Sequence, residues 1–261
     1  MHVGVSNKLP RFRVIQIENP LTIAVRPQCF GETQAALFFQ TPAMIIGFQK
    51  KFLFIHIPKC AGDSIRELLL DPANGGAQFL RKHSGYAEAE KVMGEEIKRL
   101  TAFAVVRNPF DQVHSFYEHL RKPLRMTPEE IERQYPGTGG RLLPVWASEL
   151  AMRWEFSDFV REVYAACPDG RRQAVWFGDL LNWLRSVDGD MAPIRILRFE
   201  ALQKDFSNLA FELGLAGDLP WRNASRDQGS RADYRERYDS ASRRVIEACF
   251  APTIEQFGYC F

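Results

Sequence analysis

Residues Pro58–Ser64 read Pro-Lys-Cys-Ala-Gly-Asp-Ser, and a loop of this make-up can hold an anion. A short apolar run, Phe52 to Ile57, stops at Pro58, and Ile65–Leu70 behind the loop reads as the start of a helix. Ala61 and Gly62 are small enough for the backbone to approach a ligand. The amides of a helix start point at negative charge, and Lys59 adds a compact positive one. The chemistry implied is phosphate or sulfate binding. The plainer alternative is a strand–helix connection with an exposed lysine.

A second group of residues lies in Val105–Leu120. Arg107 leaves the apolar run Thr101–Val106 just before Asn108-Pro109. Asn108 suits a helix N-cap, Pro109 the first helical position, and Asp111 complements the helix dipole. Arg107 can therefore reach an anion outside the end of a strand, and Ser115, two turns into the helix, can donate its hydroxyl to the same anion. Taken alone, Arg107 could equally pair with a carboxylate, and Ser115 could be an ordinary helix serine.

Together the two segments resemble the sulfotransferases that use 3′-phosphoadenosine 5′-phosphosulfate, in particular the carbohydrate O-sulfotransferase branch and its bacterial relatives. In that family a strand leads into Pro-Lys-x-(Ala/Gly)-Gly-(Thr/Ser)-Ser, matched here by Pro58-Lys59-Cys60-Ala61-Gly62-Asp63-Ser64. A second strand leads into Arg-x-Pro-x-x-Arg-x-x-Ser-x-Tyr, matched by Arg107, Pro109, Ser115 and Tyr117. The resemblance continues through Arg198-Phe199-Glu200, Asp205-Phe206, Asn223–Ser225, Tyr234, Tyr238 and Phe257-Gly258-Tyr259. It implies that Lys59, Cys60, Ala61, Gly62, Asp63 and Ser64 hold the 5′-phosphosulfate. It gives the 3′-phosphate to Arg107 and Ser115. Ser225, with one arginine of the patch Arg226, Arg231, Tyr234 and Arg235, belongs to a loop closing over the nucleotide. Two positions depart from the pattern. Asp63 stands where the family has Thr, and a carboxylate accepts hydrogen bonds only and repels an anion; it is expected to turn outward. Gln112 stands where the family often has Arg, and it can hydrogen-bond without adding charge.

The reaction implied is in-line attack of an acceptor hydroxyl on sulfur, with the nucleotide 5′-phosphate leaving. The acceptor implied is a carbohydrate or glycoconjugate. Lys59 neutralises the charge that builds on the bridging oxygen, and the chemistry needs no metal. His83, in Leu80–Tyr86, is the candidate general base, because a near-neutral pKa suits that task. Glu67 and Glu118 stand in reserve. His56 is expected in the core or just behind the site, and one of His114 and His119 is expected to face the ligand. A P-loop kinase or NTPase is the competing enzyme reading. Lys59 precedes Gly62 instead of following it, however, and Arg107 ends the second strand where a metal-binding Asp would be expected. A degenerate, non-catalytic nucleotide-binding protein is the third reading, and Asp63 is its main support.

The elements that must position these residues follow from pattern. Strands are expected over Lys51–Ile57, Thr101–Val106 and Ile194–Phe199. Helices are expected from Asp63 to Leu70, within Tyr86–Leu100, from Asn108 to Arg121, over Trp154–Ala166, and from the third strand to Leu213. A further largely helical stretch, Ala232–Phe257, is interrupted at Pro252. Asp71–Gly76 reads as a turn cluster, and Lys122–Pro144 as a loop with a short helix at Pro128–Gln134. This alternation predicts a three-layer α/β domain of P-loop-like type over residues 51–261, with a mostly parallel sheet flanked by helices. Such sheets bind ligands at the carboxyl ends of their strands. Residues 1–50, with four prolines and no period, read as an irregular extension.

A net charge of +2 is too small to argue for nucleic acid or a membrane surface, so any basic site must be local. Five scattered cysteines with no Cys-x-x-Cys pair argue against a disulfide framework or zinc site and for a reducing compartment. The apolar stretch Ala35–Phe48 is broken by Gln40 and Pro42, short of a membrane span. The expectation is a cytoplasmic protein without an integral membrane segment.

Overall fold

Two apolar runs form the middle of a β-sheet. Strands β2 (Phe52–Ile55) and β4 (Thr101–Val106) are buried at every position except Thr101, as strands covered on both faces must be. In the computed structural model, which describes residues 44–80, 83–121, 126–134, 151–165, 179–220 and 233–261, they pair in parallel, with Phe52 opposite Thr101 and Ile55 opposite Ala104. Strand β5 (Arg195–Arg198) continues the parallel set on the other side of β4. On the far side of β2, strand β1 (Ile45–Gly47) is antiparallel to β2, and β3 (Ala77–Gln78) is antiparallel to β1. The order is β3-β1-β2-β4-β5.

The molecule is therefore α/β, with a five-stranded mixed sheet that is parallel through its middle and flanked by helices. The expected mostly parallel sheet needs correction at the β1–β3 side. The chain reverses between Gly47 and Phe52 in a tight turn, with Lys51 at φ 54°, and a connection this short can only join antiparallel strands. Strand β1 also falls inside the stretch read as an irregular extension. Met44, Ile45 and Ile46 are buried in the core, so the sheet takes in the end of that stretch. Residues 1–43 lie outside the described residues.

The helices follow their sequence signals. Helix α1 (Gly62–Leu69) buries Ile65, Leu68 and Leu69, the i, i+3, i+4 stripe of an amphipathic helix. Helix α2 (Tyr86–Met93) runs into a 3-10 turn, Gly94–Arg99. Helix α3 (Pro109–Arg121) is capped as its sequence predicts, with the Phe110 amide donating to Asn108 Oδ1 at 3.1 Å. Helix α4 is Pro128–Gln134 and α5 is Phe156–Ala165. Helix α6 (Leu202–Leu213) ends at Gly214 with φ 62°, the left-handed stop that glycine takes without strain. A 3-10 turn (Tyr234–Arg237) precedes α7 (Ser240–Cys249) and α8 (Ala251–Phe257), which is entered through Pro252 in its first turn. Helix α7 packs on α5. Among the described residues no helix is long and apolar enough to cross a membrane.

One buried side chain ties the turn after α1 to the segment after α6. Asn74 donates to the carbonyls of Leu68 and Ala216, both at 2.9 Å, and accepts from the Ala216 amide at 2.6 Å. Replacing it with alanine leaves the buried Leu68 carbonyl without this donor, at about 1–3 kcal/mol, while Ala216 is exposed and its backbone groups can turn to water. Asn74→Ala is expected to lower unfolding stability by about 1–3 kcal/mol in urea titrations; a loss under about 0.5 kcal/mol would contradict the bracket.

Candidate functional site

Parallel strands β2, β4 and β5 all end on one edge of the sheet, and the residues that follow them meet there: Pro58–Ala61 after β2, Arg107-Asn108 after β4, and Phe199-Glu200 after β5. The loop is strained. Lys59 has φ 62° and Ala61 φ 59°, ψ 18°, both left-handed at non-glycine positions. Each costs about 1–3 kcal/mol and persists only when its surroundings fix it.

The fixing contacts are specific. Gln112 Nε2 donates to the Pro58 carbonyl at 2.8 Å, and the Cys60 thiol donates to the same carbonyl at 3.4 Å. Arg107 Nη1 donates to the Lys59 carbonyl at 2.9 Å. Across a trans peptide the C=O and the following N–H point opposite ways. Two carbonyls drawn toward Gln112 and Arg107 therefore turn the Lys59 and Cys60 amides to the other side of the loop. The first amides of α1, which have no carbonyl of their own helix to meet, follow directly. Loop amides on one side, beside a half-buried lysine, are an arrangement that can receive an anion. Asp63 is exposed, as its repulsion from an anion requires, and Ser64 is buried in the first turn of α1. Cys60 contributes backbone only, because its side chain is fully buried. Burial pushes the thiol pKa up to about 12, against the opposing pull of Arg107.

Arg107 takes the carboxylate partner that its sequence also allowed. Its guanidinium is buried, pairs with Asp111 through Nε at 2.9 Å and Nη2 at 2.8 Å, and lies 4.0 Å over the Phe199 ring. Asp111, read as a helix-dipole partner, is thus the counter-charge of Arg107. The i, i+4 spacing was the visible signal. Asn108 does more than cap α3. Its amide nitrogen donates to Glu200 Oε1 at 2.7 Å, and its Nδ2 donates to the Cys260 carbonyl at 2.8 Å and to the Tyr234 hydroxyl at 3.3 Å. Tyr259 donates to the other oxygen of Glu200 at 3.3 Å. Burial raises the pKa of both tyrosines. Tyr234 is thus brought to the end of β4, with Arg235 over its ring at 4.6 Å. Ser115 is buried on α3. Ser225, Arg226 and Arg231 lie outside the described residues.

The histidines separate. His56 is buried, and its ring lies directly on Gly62: a Cβ there would sit 1.8 Å from His56 Nε2. Only glycine fits between this ring and the loop. His83 packs edge-on to His56, ring centroids 4.9 Å apart, with its Nδ1 3.0 Å from the His56 carbonyl. His83 is therefore brought next to the residue that backs the loop. His114 instead meets the Phe156 ring at 5.3 Å. It lines a separate polar cleft of about 190 Å³ with Tyr117, Glu118, Arg121, Glu155, Phe156 and Arg237, on the side of α3 away from Gln112. Glu118 shares that cleft, and Glu67 is exposed on α1.

Among the described residues no group of three or more His, Cys, Asp or Glu is arranged to hold a metal ion. Comparison with protein-family models, with curated proteins and with solved structures yields no match.

The buried, protonated Cys60 thiol has a direct consequence, since the thiolate is the reactive form. In the native protein at pH 8, iodoacetamide is expected to label the exposed Cys260 and spare Cys60. Peptide mass mapping checks this; equal labelling rates would contradict the burial of the Cys60 side chain.

Proposed function

We propose that this protein is a sulfotransferase that moves a sulfuryl group from 3′-phosphoadenosine 5′-phosphosulfate to an acceptor hydroxyl, of carbohydrate or glycoconjugate type by resemblance, on a three-layer P-loop-like domain. The observation that carries the reading is the hydrogen bond from Arg107 to the Lys59 carbonyl at 2.9 Å. The two segments on which the resemblance rests, 48 residues apart, are in direct contact at the carboxyl edge of the sheet, where α/β proteins bind nucleotides.

In this reading the loop amides and Lys59 receive the 5′-phosphosulfate. Lys59 balances the charge that develops on the leaving oxygen. The 3′-phosphate falls to Ser115, to the guanidinium edge of Arg107 turned away from Asp111, and to Ser225 and Arg226, with Tyr234 flanking the nucleotide. His83 takes the proton of the acceptor hydroxyl as it attacks sulfur in line. The S–O bond to the nucleotide phosphate breaks as the bond to the acceptor oxygen forms. Charge neutralisation comes from Lys59 and fixed N–H donors, so the transfer runs without a divalent metal.

A second reading, a non-catalytic nucleotide-binding protein, is favoured by the Arg107–Asp111 pair, which already engages the guanidinium expected for a phosphate. Transfer separates the two. With labelled sulfate in the nucleotide donor, EDTA present and a cell-extract acceptor pool, label is expected to enter an acceptor. Lys59→Ala is expected to abolish transfer while the protein stays folded. His83→Ala is expected to lower turnover by roughly a hundredfold or more, with nucleotide affinity nearly unchanged. Retained turnover in Lys59→Ala would remove its assigned role. Absence of transfer together with nucleotide binding would favour the non-catalytic protein.

A further inference from the structure

We infer that Asn108 is a positioning residue for Tyr234: its side-chain amide leaves the Tyr234 hydroxyl as a hydrogen-bond donor for the phosphate received at the end of β4, the 3′-phosphate. This rests on the reading of the site as the place of a nucleotide with phosphates at its 3′ and 5′ positions. Tyr234 lies 126 residues along the chain from Asn108.

Two backbone groups fix the direction of the Asn108 amide. A backbone N–H can only donate, and the Phe110 amide donates to Oδ1 at 3.1 Å. A backbone carbonyl can only accept, and the Cys260 carbonyl accepts from Nδ2 at 2.8 Å. Exchanging the oxygen and nitrogen of the amide would break both bonds. The second N–H of Nδ2 is therefore the one that meets the Tyr234 hydroxyl oxygen, 3.3 Å away. An amide nitrogen offers no lone pair, so the phenol accepts this bond and its own proton points elsewhere. Among the described residues the Tyr234 hydroxyl makes no other hydrogen bond.

Tyr234 keeps that proton. Burial, which leaves 7% of the residue exposed, raises its pKa, and Arg235 over the ring pulls the other way. Asp111, Asp233 and Glu200 raise it further, so the hydroxyl stays protonated across the neutral range. Each of these carboxylates is itself engaged. Asp111 pairs with Arg107 and Asp233 with Arg235. Glu200 accepts from the Asn108 amide and from Tyr259. The ring is held in place as well. Phe261 meets it edge-on, with centroids 6.4 Å apart, and Asp233 caps the 3-10 turn through the Arg235 amide at 3.1 Å. A neutral phenol fixed beside the strand end that carries Arg107 is thus a donor that needs no counter-charge. Its strongest acceptor is an oxygen bearing negative charge.

The test titrates the wild type, Tyr234→Phe, Asn108→Ser and the double variant by calorimetry in EDTA. The probes are adenosine 3′,5′-bisphosphate and adenosine 5′-monophosphate. Tyr234→Phe removes the hydroxyl and keeps the ring, so it decides alone should Asn108→Ser not fold. Asn108→Ser keeps a capping oxygen for α3 and removes the amide donor. Each single variant is expected to bind the bisphosphate at least about tenfold more weakly, with monophosphate affinity unchanged. The double variant is expected to lose no more than Tyr234→Phe. Unchanged bisphosphate affinity in Tyr234→Phe overturns the inference. So does an equal loss for both nucleotides, which marks a packing defect. Additive losses in the double variant overturn it too, because they separate Asn108 from Tyr234. A wild type that binds neither nucleotide overturns the inference and the nucleotide reading together. A wild type that binds the bisphosphate and transfers no sulfuryl group removes the proposed activity alone, and the affinities still decide the role of Asn108.

Discussion

The guanidinium of Arg107 holds the end of β4 to the carbonyl of Lys59 while Asp111 balances its charge and Phe199 covers its face. Three strand ends are thereby brought into one arrangement, and the strained loop conformation depends on it. Burying two charges costs much of what their attraction returns, so the pair contributes place more than stability. Loss of one partner is different, because an unpaired buried charge costs about 3–5 kcal/mol. With Arg107 turned inward, the positive charge that the loop itself carries is the half-buried Lys59. The other donors are backbone amides, whose direction follows from the carbonyls that Arg107 and Gln112 hold.

A second support comes from behind. His56, Gly62 and His83 form a stack in which the size of one residue and the orientation of another depend on a single imidazole. The loop is therefore clamped by α3 on one side and by the end of β2 on the other. Asn108 extends the clamp to the C-terminal segment through Glu200, Tyr234 and the Cys260 carbonyl. An anion entering such a site meets groups already in position, and preorganised donors need no rearrangement when charge develops.

Much of this frame could be read from residues in order. Thr101–Val106 is a strand at the predicted bounds because an uninterrupted apolar run bounded by Arg-Asn-Pro leaves no competing element. Helix α3 starts where Asn108-Pro109 says it should. Strand β1 was not legible, since three residues carry no period and the turn behind them holds its positive φ at Lys51, with no glycine or asparagine to announce it. The inward turn of Arg107 was half legible: Asp111 stands four residues on, but whether an arginine meets a ligand or its own helix depends on packing. The contacts of Gln112 with Pro58 and of His83 with His56 join segments distant in sequence, and no local pattern encodes them.

The central claim is that the two strand ends form one site for a nucleotide bearing phosphates at both 3′ and 5′ positions. Calorimetric titration with adenosine 3′,5′-bisphosphate in EDTA, alongside ATP with magnesium, tests it most directly. The account predicts saturable bisphosphate binding without metal, at least tenfold weaker in Lys59→Ala, and preferred over ATP with magnesium. Absence of bisphosphate binding, or preference for ATP with magnesium, would contradict it.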